Sequence, residues 1–339
     1  MAKKRRPPPA PLPPPRRRSR RGRDPRPQIA VVAGFVVFLL VVAGFIGYGW
    51  WDSQYGPPHS RAMRVGDTTL NLDLFSRRTK NFVQDLGLSG SVNANSFPSI
   101  VSFVLATLEQ EILVRERAPA DLGLTAAPDE VEAEIARQLN VQTDDAALFE
   151  TAYEKDLKAR DLSDKEYREM VEAGLLTQWA QAGFNRASPT AADQVRIRQI
   201  LVGAQEDADR AVERLNAGED FATVAKEMSS DTATKDAGGE KGWVTIEDLE
   251  VAALQPAEAG KVFALEAGQR SEPLEGQGGF FIIEVEEKEA GRPLEQAQRD
   301  TIGRRYFSLW LDEQRTLIPT VNYVSFDSDK MQWVFDHTT

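Results

Sequence analysis

Twenty-three consecutive residues, from Ile29 to Trp51, carry no charged side chain and are almost entirely apolar. A run of this length can cross the roughly 30 Å hydrocarbon core of a membrane as one helix. Tyr48, Trp50 and Trp51 stand at its far end, where interfacial aromatic residues belong. The run therefore predicts a transmembrane signal anchor within residues 28–51.

Charge is distributed unequally on the two sides of this run. Residues 1–27 hold eleven of the 41 Lys and Arg residues and one of the 52 Asp and Glu residues, so the remainder of the chain is strongly acidic. The positive-inside rule then places the N-terminus in the cytoplasm and the bulk of the chain outside it, as a single-pass plasma-membrane protein. A cleaved signal peptide is the alternative, because Gly47 and Gly49 form a small-x-small site.

The basic segment is of low complexity, with a proline-rich part followed by an arginine-rich part. Such a composition predicts a disordered cytoplasmic tail over residues 1–27. It could serve as an SH3-type ligand or touch lipid or RNA, but a solvated tail is the simpler interpretation. Because phosphate binding needs positive surface, the acidic body argues against nucleic acid as a partner.

The sequence has few of the residue types that nucleophilic and metal-binding sites require. There is no cysteine, which excludes a thiol nucleophile, a disulfide framework and a Cys-ligated metal. The two histidines, His59 and His337, stand near the two ends of the part after the apolar run, which argues against a Ser-His-Asp triad. We expect neither a metal nor a cofactor.

Residues 62–187 show helical patterns behind a short turn at Gly66. Apolar residues at three- and four-residue steps predict a helix from Ser99 to Ala118, which Pro119 would stop. A second helix is expected to carry Pro128 in its first turn. The capping box of Ser163 and Glu166 predicts the start of a third helix, which reaches about Gly183.

Three features give this region a resemblance to the helical N-terminal domain of the SurA, PpiD and PrsA group of extracytoplasmic foldases. They are the Val-Gly-Asp turn at Val65, the apolar helix around Leu108 and the Gly-Leu-Thr segment at Gly123. The resemblance implies an all-helical chaperone domain that a later helix, residues 292–315, completes by packing back onto it. Residues 316–339 are expected to be a C-terminal extension.

From Val195 to Val285 the pattern predicts strand, helix, helix, loop and strand. In the first strand, Val195, Ile197, Gln199 and Leu201 are expected to face one way and Ile200 and Val202 the other. A helical stripe through Ala208 and Leu215 should end at Gly218, and Asp220 should cap the next helix. Such a segment indicates a small α+β domain with a helix-covered sheet.

This stretch resembles the parvulin (PpiC, rotamase) family of peptidyl-prolyl isomerases over residues 193–288. Gly218-Glu-Asp-Phe221 matches the family's Gly-x-Asp-Phe, and Gly238, Gly239, Gly242 and Trp243 match its glycine-rich loop. Ser271 to Leu274 and Gly279 to Ile283 match its closing segments. The whole chain is thus expected to be α+β, with one transmembrane helix, a SurA-like helical domain and a parvulin domain.

The resemblance also assigns site positions, two of which depart from the family. Parvulins place one histidine on the first strand and one on the last, whereas this chain has Gln199 and Phe281 there. Asp231 keeps the family's acidic position and is the predicted catalytic carboxylate, beside Gln199 and Phe281. The predicted substrate-binding residues are Leu249, Leu254 and Gly278. Simple alternatives are a turn-capping role for Asp231 and packing roles for Gln199 and Phe281.

Loss of the histidines does not by itself exclude isomerase activity. Rotation about a peptide bond crosses a barrier of ~18–20 kcal/mol without breaking a covalent bond, so no general base is obligatory. Two hypotheses follow: an anchored prolyl isomerase that acts on exported proteins, and a holdase whose parvulin domain only binds client segments. A surface scaffold without clients is a third. The expected partners are unfolded or nascent exported proteins and the membrane; the sequence leaves the oligomeric state open.

Overall fold

The computed structural model describes residues 39–44, 56–141, 145–252 and 254–338, which fall into two compact units, residues 1–58 and 59–339. In the first unit, residues 39–44 and 56–58 are helical. The rest of the predicted anchor and the basic tail lie outside the described residues.

The second unit opens with a three-stranded antiparallel sheet in the order β2-β1-β7, so the expectation of an all-helical domain over residues 62–187 is wrong. Its strands are β1 (Arg61–Val65), β2 (Thr68–Asn71) and β7 (Thr320–Asn322). The predicted turn at Gly66 is confirmed: it joins β1 to β2, and its φ of 55° is a conformation that favours glycine. The C-terminal residues, predicted as an extension, instead complete this sheet through β7 and pack on it through a helix, α11 (Ser328–Thr338).

Five helices follow the hairpin: α1 (Leu72–Asp85), α2 (Phe97–Asp121), α3 (Pro128–Gln138), α4 (Ala146–Arg160) and α5 (Asp164–Ala187). The predicted starts at Pro128 and Ser163 are confirmed. The apolar periodicity of the sequence does not predict α1 or α4. The side chains of Asn71 and Asp145 cap the N-termini of these two helices.

The expected stop of α2 at Pro119 is wrong, because the helix continues to Asp121. A proline in the last turn removes one backbone hydrogen bond without preventing the next residues from staying helical. Within the described residues α2 is also the one helix long and apolar enough to cross a membrane by length and composition. Its residues Val101, Val104 and Leu108 are nevertheless buried in the protein core, as in a core helix of a soluble domain.

The start of α5 is tied to α1 by a charged cluster. Ser163 and Glu166 form the predicted capping box, with the Ser163 backbone N–H donating to Glu166 Oε2 at 2.8 Å. Arg77 of α1 donates to both carboxylate oxygens of Glu166 at 3.0 Å. Partial burial alone would raise the pKa of Glu166, but the hydrogen bonds from Arg77 and Ser163 lower this pKa to about 2.

The substitution Glu166→Gln is expected to lower the free energy of unfolding at neutral pH by about 2 kcal/mol, because it removes a charge-assisted pair but keeps a capping side chain. A carboxyl group with a lowered pKa stabilises the fold above its ordinary pKa of 4.5, and this contribution disappears as the pH falls to about 2. Urea denaturation at several pH values should therefore show that the free energies of unfolding of the unmodified chain and of Glu166→Gln become equal in acid. Glu154→Gln, which breaks an exposed pair with Lys158, is the control and should cost at most about 0.5 kcal/mol.

The C-terminal half of the second unit contains a four-stranded antiparallel sheet in the order β4-β3-β6-β5. Its strands are β3 (Ala191–Val202), β4 (Glu240–Val244), β5 (Leu274–Gly276) and β6 (Gly279–Pro293). Helices α6 (Gln205–Asn216) and α7 (Phe221–Met228) connect β3 to the glycine-rich loop, and α8 (Ile246–Ala252) and α9 (Pro256–Ala264) follow β4.

The predicted alternation of β3 is confirmed. Val195, Ile197 and Leu201 belong to one apolar cluster, which α8 and α9 cover. Ile200 and Val202 belong to the cluster on the other face, under α6 and α7. The sheet thus separates two small cores, and Gln199 lies on the α8–α9 side by the same alternation.

Helix α10 (Gln296–Leu317) returns from β6 to the helical domain, as the resemblance implied. Phe307 and Trp310 of α10 pack beside Phe184 of α5. Gly303 lies so close to α5 that a Cβ atom there would stand 2.7 Å from Asn185 Cα. This approach fixes α10, and with it the end of β6, against the helical domain.

Candidate active site

A short hydrogen bond joins two of the predicted site residues. Gln199, in the middle of β3, donates from Nε2 to Asp231 Oδ2 at 2.6 Å. Gln199 is only 7% exposed, so the pair is shielded from water on the strand side. Asp231 reaches this place because the backbone N–H of Ser230 donates to the Leu201 carbonyl at 2.7 Å, which ties the end of α7 to β3.

Thr234 completes the carboxylate's surroundings and was not identified from the sequence. Its Oγ1 donates to Asp231 Oδ2 at 2.6 Å, and the backbone N–H of Ala233 donates to Oδ1 at 3.0 Å. Burial alone would raise the pKa of Asp231, but the hydrogen bonds from Thr234 and Gln199 hold it below its ordinary value. Asp231 is therefore ionised at neutral pH and already accepts three hydrogen bonds.

The glycine-rich loop closes on the strand that carries Gln199. The backbone N–H of Gln199 donates to the Gly239 carbonyl at 2.8 Å. Gly239 has a φ of 86°, and a Cβ atom there would stand 2.6 Å from the Gln199 carbonyl oxygen. Only glycine permits both the conformation and the approach, so the family's glycine at this position serves to seat Gln199.

The apolar site residues lie together on the same face of the sheet. Phe281 of β6, Leu249 of α8 and Leu254 belong to one cluster, with exposures of 6%, 3% and 4%. Leu201 pairs with Phe281 across the two strands, and Gln199 pairs with Ile283. Gln199 and Phe281 are thus diagonal neighbours on one face. Phe281, Leu249 and Leu254 therefore form one buried apolar group on this face.

Gly278 lies apart from the carboxylate. It occupies the turn between β5 and β6 with a φ of 92°, and a Cβ atom there would meet no atom within 4 Å. Leu254 forms an isolated bridge with Gly276 of the same hairpin. The structure therefore groups Gln199 with Asp231, groups Phe281 with both leucines, and places Gly278 at the hairpin end of that apolar group. Across the described ranges, no group of three or more His, Cys, Asp or Glu residues could hold a metal ion.

Comparison with known families agrees with this architecture. Residues 196–287 match the family model described as a PPIC-type PPIase (rotamase) domain, and residues 26–181 match a SurA-like N-terminal domain. The chain therefore contains a SurA-like N-terminal domain and a parvulin-type domain, as predicted.

Among the similar proteins are foldases named PrsA. The chain is 30% identical over 189 residues to foldase protein PrsA of Caldanaerobacter subterraneus subsp. tengcongensis, covering 52% of this chain and 53% of that protein. It is 35% identical over 109 residues to foldase protein PrsA 3 of Bacillus anthracis, covering 31% and 35%. The chain thus spans about half the length, or less, of these curated relatives. A crystal structure of PrsA from Bacillus anthracis is 17% identical, with a TM-score of 0.40, and covers 69% of this chain and 94% of that one.

Proposed function

We propose that this chain is a membrane-anchored extracytoplasmic foldase of the PrsA kind, which binds exported proteins and isomerises their prolyl bonds slowly. The observation that carries the proposal is the 2.6 Å hydrogen bond from Gln199 to Asp231. The parvulin framework around the carboxylate is in place, while a glutamine occupies the position of the family's first histidine.

The chemistry of this arrangement explains why the reaction should be slow. Isomerisation is accelerated by a dry apolar slot for the proline ring and by charges that stabilise the twisted amide. Asp231 can supply charge, but its oxygens already accept hydrogen bonds from Thr234, Gln199 and Ala233, which weakens their attraction for a client amide. Phe281 supplies apolar surface and no hydrogen bond. No cofactor is required, because no covalent bond is broken.

The anchored location rests on sequence features. The apolar run from Ile29 to Trp51 and the basic segment before it support a single-pass protein with a cytoplasmic N-terminus. Residues 39–44 within the run are helical. Exported proteins that emerge unfolded on the extracytoplasmic side of the membrane are then the expected clients.

A non-catalytic holdase is the second candidate, and one observation favours it. Leu249, Leu254 and Phe281 belong to one cluster and are at most 6% exposed. Little of their apolar surface is therefore open to a client proline. In that case the parvulin domain would only bind client segments, beside a helical domain that shields apolar client surface from aggregation.

Refolding of a secreted protein limited by proline isomerisation separates the two candidates. A fragment from residue 52 onward that isomerises prolyl bonds should accelerate the slow phase, which otherwise takes tens of seconds or more. A holdase should raise the yield of folded protein and leave the rate of that phase unchanged. Asp231→Asn is the matched variant, expected to reduce the rate gain and keep the yield. If the fragment changes neither rate nor yield, the foldase proposal is wrong.

A further inference from the structure

The loop between β7 and α11 presents an aromatic side chain to solvent. Phe326 is 94% exposed, the highest value among the described large apolar side chains. The loop is held on both sides: Asn322 Oδ1 accepts from the backbone N–H groups of Val324 and Ser325, and Asp327 Oδ1 accepts from that of Lys330. The backbone on both sides of Phe326 is therefore held by hydrogen bonds, and its side chain faces solvent.

The chain segments on either side of Phe326 combine aromatic and basic groups. Tyr323 lies under two cations, with Arg61 at 5.9 Å and Lys330 at 5.5 Å from its ring centre. Lys330 Nζ also donates to the Arg61 carbonyl at 2.9 Å. We call Arg61, Tyr323, Phe326 and Lys330 the Phe326 surface.

This surface adjoins the start of the folded unit. Arg61 is the first residue of β1, and the backbone N–H of Tyr323 donates to the Ala62 carbonyl at 3.0 Å. Arg61 lies ten positions along the chain from Trp51, where the apolar run ends. Ten residues span at most roughly 35 Å even when fully extended. An anchor that ends at Trp51 would thus keep the Phe326 surface within reach of the bilayer.

Charge also distinguishes the Phe326 surface from the acidic body. Its cations Arg61 and Lys330, with the exposed Arg64 nearby in sequence, offset the carboxylates of Asp327 and Asp329. The surface is therefore not repelled by anionic lipid in the way that the body as a whole would be. Tyrosine side chains favour the headgroup level, and long basic side chains extend from there toward water.

We propose that the Phe326 surface is a lipid contact, which rests on the bilayer leaflet where the anchor ends and orients the foldase relative to the membrane. The inference rests on the proposed anchored location. One exposed aromatic residue binds lipid weakly in free solution. The short connection to the anchor makes the contact intramolecular, so a high effective concentration compensates for the weak affinity.

The absence of cysteine from the chain permits a direct test. The full chain carrying Phe326→Cys is labelled with an environment-sensitive fluorophore and reconstituted into phospholipid nanodiscs. Val251→Cys, on α8 and 56% exposed in the unmodified chain, is the matched control. We expect blue-shifted emission at position 326 and loss of that emission with headgroup-level spin-labelled lipids, and neither effect at position 251. Neither position is buried, so both variants should fold.

Two controls separate the failure of this inference from failure of the anchored location. Flotation shows whether the full chain enters the nanodiscs; if it does not, both proposals are overturned. If it does, and the two labels respond alike, the lipid contact alone is wrong. A label at position 326 that responds to an unfolded client without lipid, and not to lipid, would assign the surface to clients instead.

Discussion

The double substitution Gln199→His and Phe281→His is expected to raise the rate of prolyl isomerisation about tenfold, which corresponds to about 1.4 kcal/mol of transition-state stabilisation. Position 199 lies within hydrogen-bonding distance of Asp231. Positions 199 and 281 are diagonal neighbours on one sheet face, so the two imidazoles would restore the family's histidine pair on that face. Exchange NMR on an Xaa-Pro peptide measures the rate.

This variant places a polar ring in an apolar cluster, so its fold needs a separate check. Phe281 packs with Leu249, Leu254 and Ile283, and replacing it by histidine should cost about 2–4 kcal/mol of stability. Phe281→Leu is the control, because it loses volume without gaining an imidazole. A double variant that remains folded and is no faster than the unmodified chain would contradict this prediction. It would show that the site differs from a parvulin site in more than the two histidines.

Gly303→Ala is expected to lower the free energy of unfolding by about 2 kcal/mol or more. The added methyl group would stand 2.7 Å from Asn185 Cα and 2.8 Å from Asn185 N, which are backbone atoms that cannot turn aside. Either α10 moves away from α5 or both helices deform, and overpacking of this kind typically costs about 1–3 kcal/mol. Urea denaturation of the fragment from residue 52 measures the change.

Gly183→Ala provides the matched control for this prediction. Gly183 is also a helical glycine, in α5 itself, and a Cβ atom there would meet no atom within 4 Å. Alanine should stabilise that position by about 0.5–1 kcal/mol, because glycine loses more backbone entropy in a helix. Equal effects of the two substitutions would show that α10 is not held closely against α5.

Local signals in the sequence predicted much of this fold because their cause is local. The capping box at Ser163, the turn at Gly66 and the alternation of β3 depend on residues a few positions apart. The pairing of β7 with β1 joins residues about 250 positions apart, and no pattern in either strand specifies the other. The sequence therefore predicts a C-terminal extension, whereas in the structure this segment completes the N-terminal sheet.

The family resemblance, more than the periodicity or chemistry of the residues, predicted the residues of the candidate site. The resemblance assigns Gln199 to the first strand and Asp231 to the acidic position after the second helix, whereas their hydrogen bond is visible only in the structure. Thr234 carries no signal of its own, since a threonine in a polar loop is ordinary. The burial of Leu249 and Leu254 depends on how α8 and α9 close over the sheet, which is a matter of tertiary packing.

We propose that the parvulin framework with Gln199 and Phe281 retains slow catalysis. The most direct test is the isomerisation rate of an Xaa-Pro peptide with the unmodified fragment from residue 52, compared with the same peptide alone and with Asp231→Asn. We predict a small acceleration that Asp231→Asn reduces. A rate equal to that of the peptide alone, at fragment concentrations that suppress client aggregation, would contradict slow catalysis. The chain would then act as a holdase only.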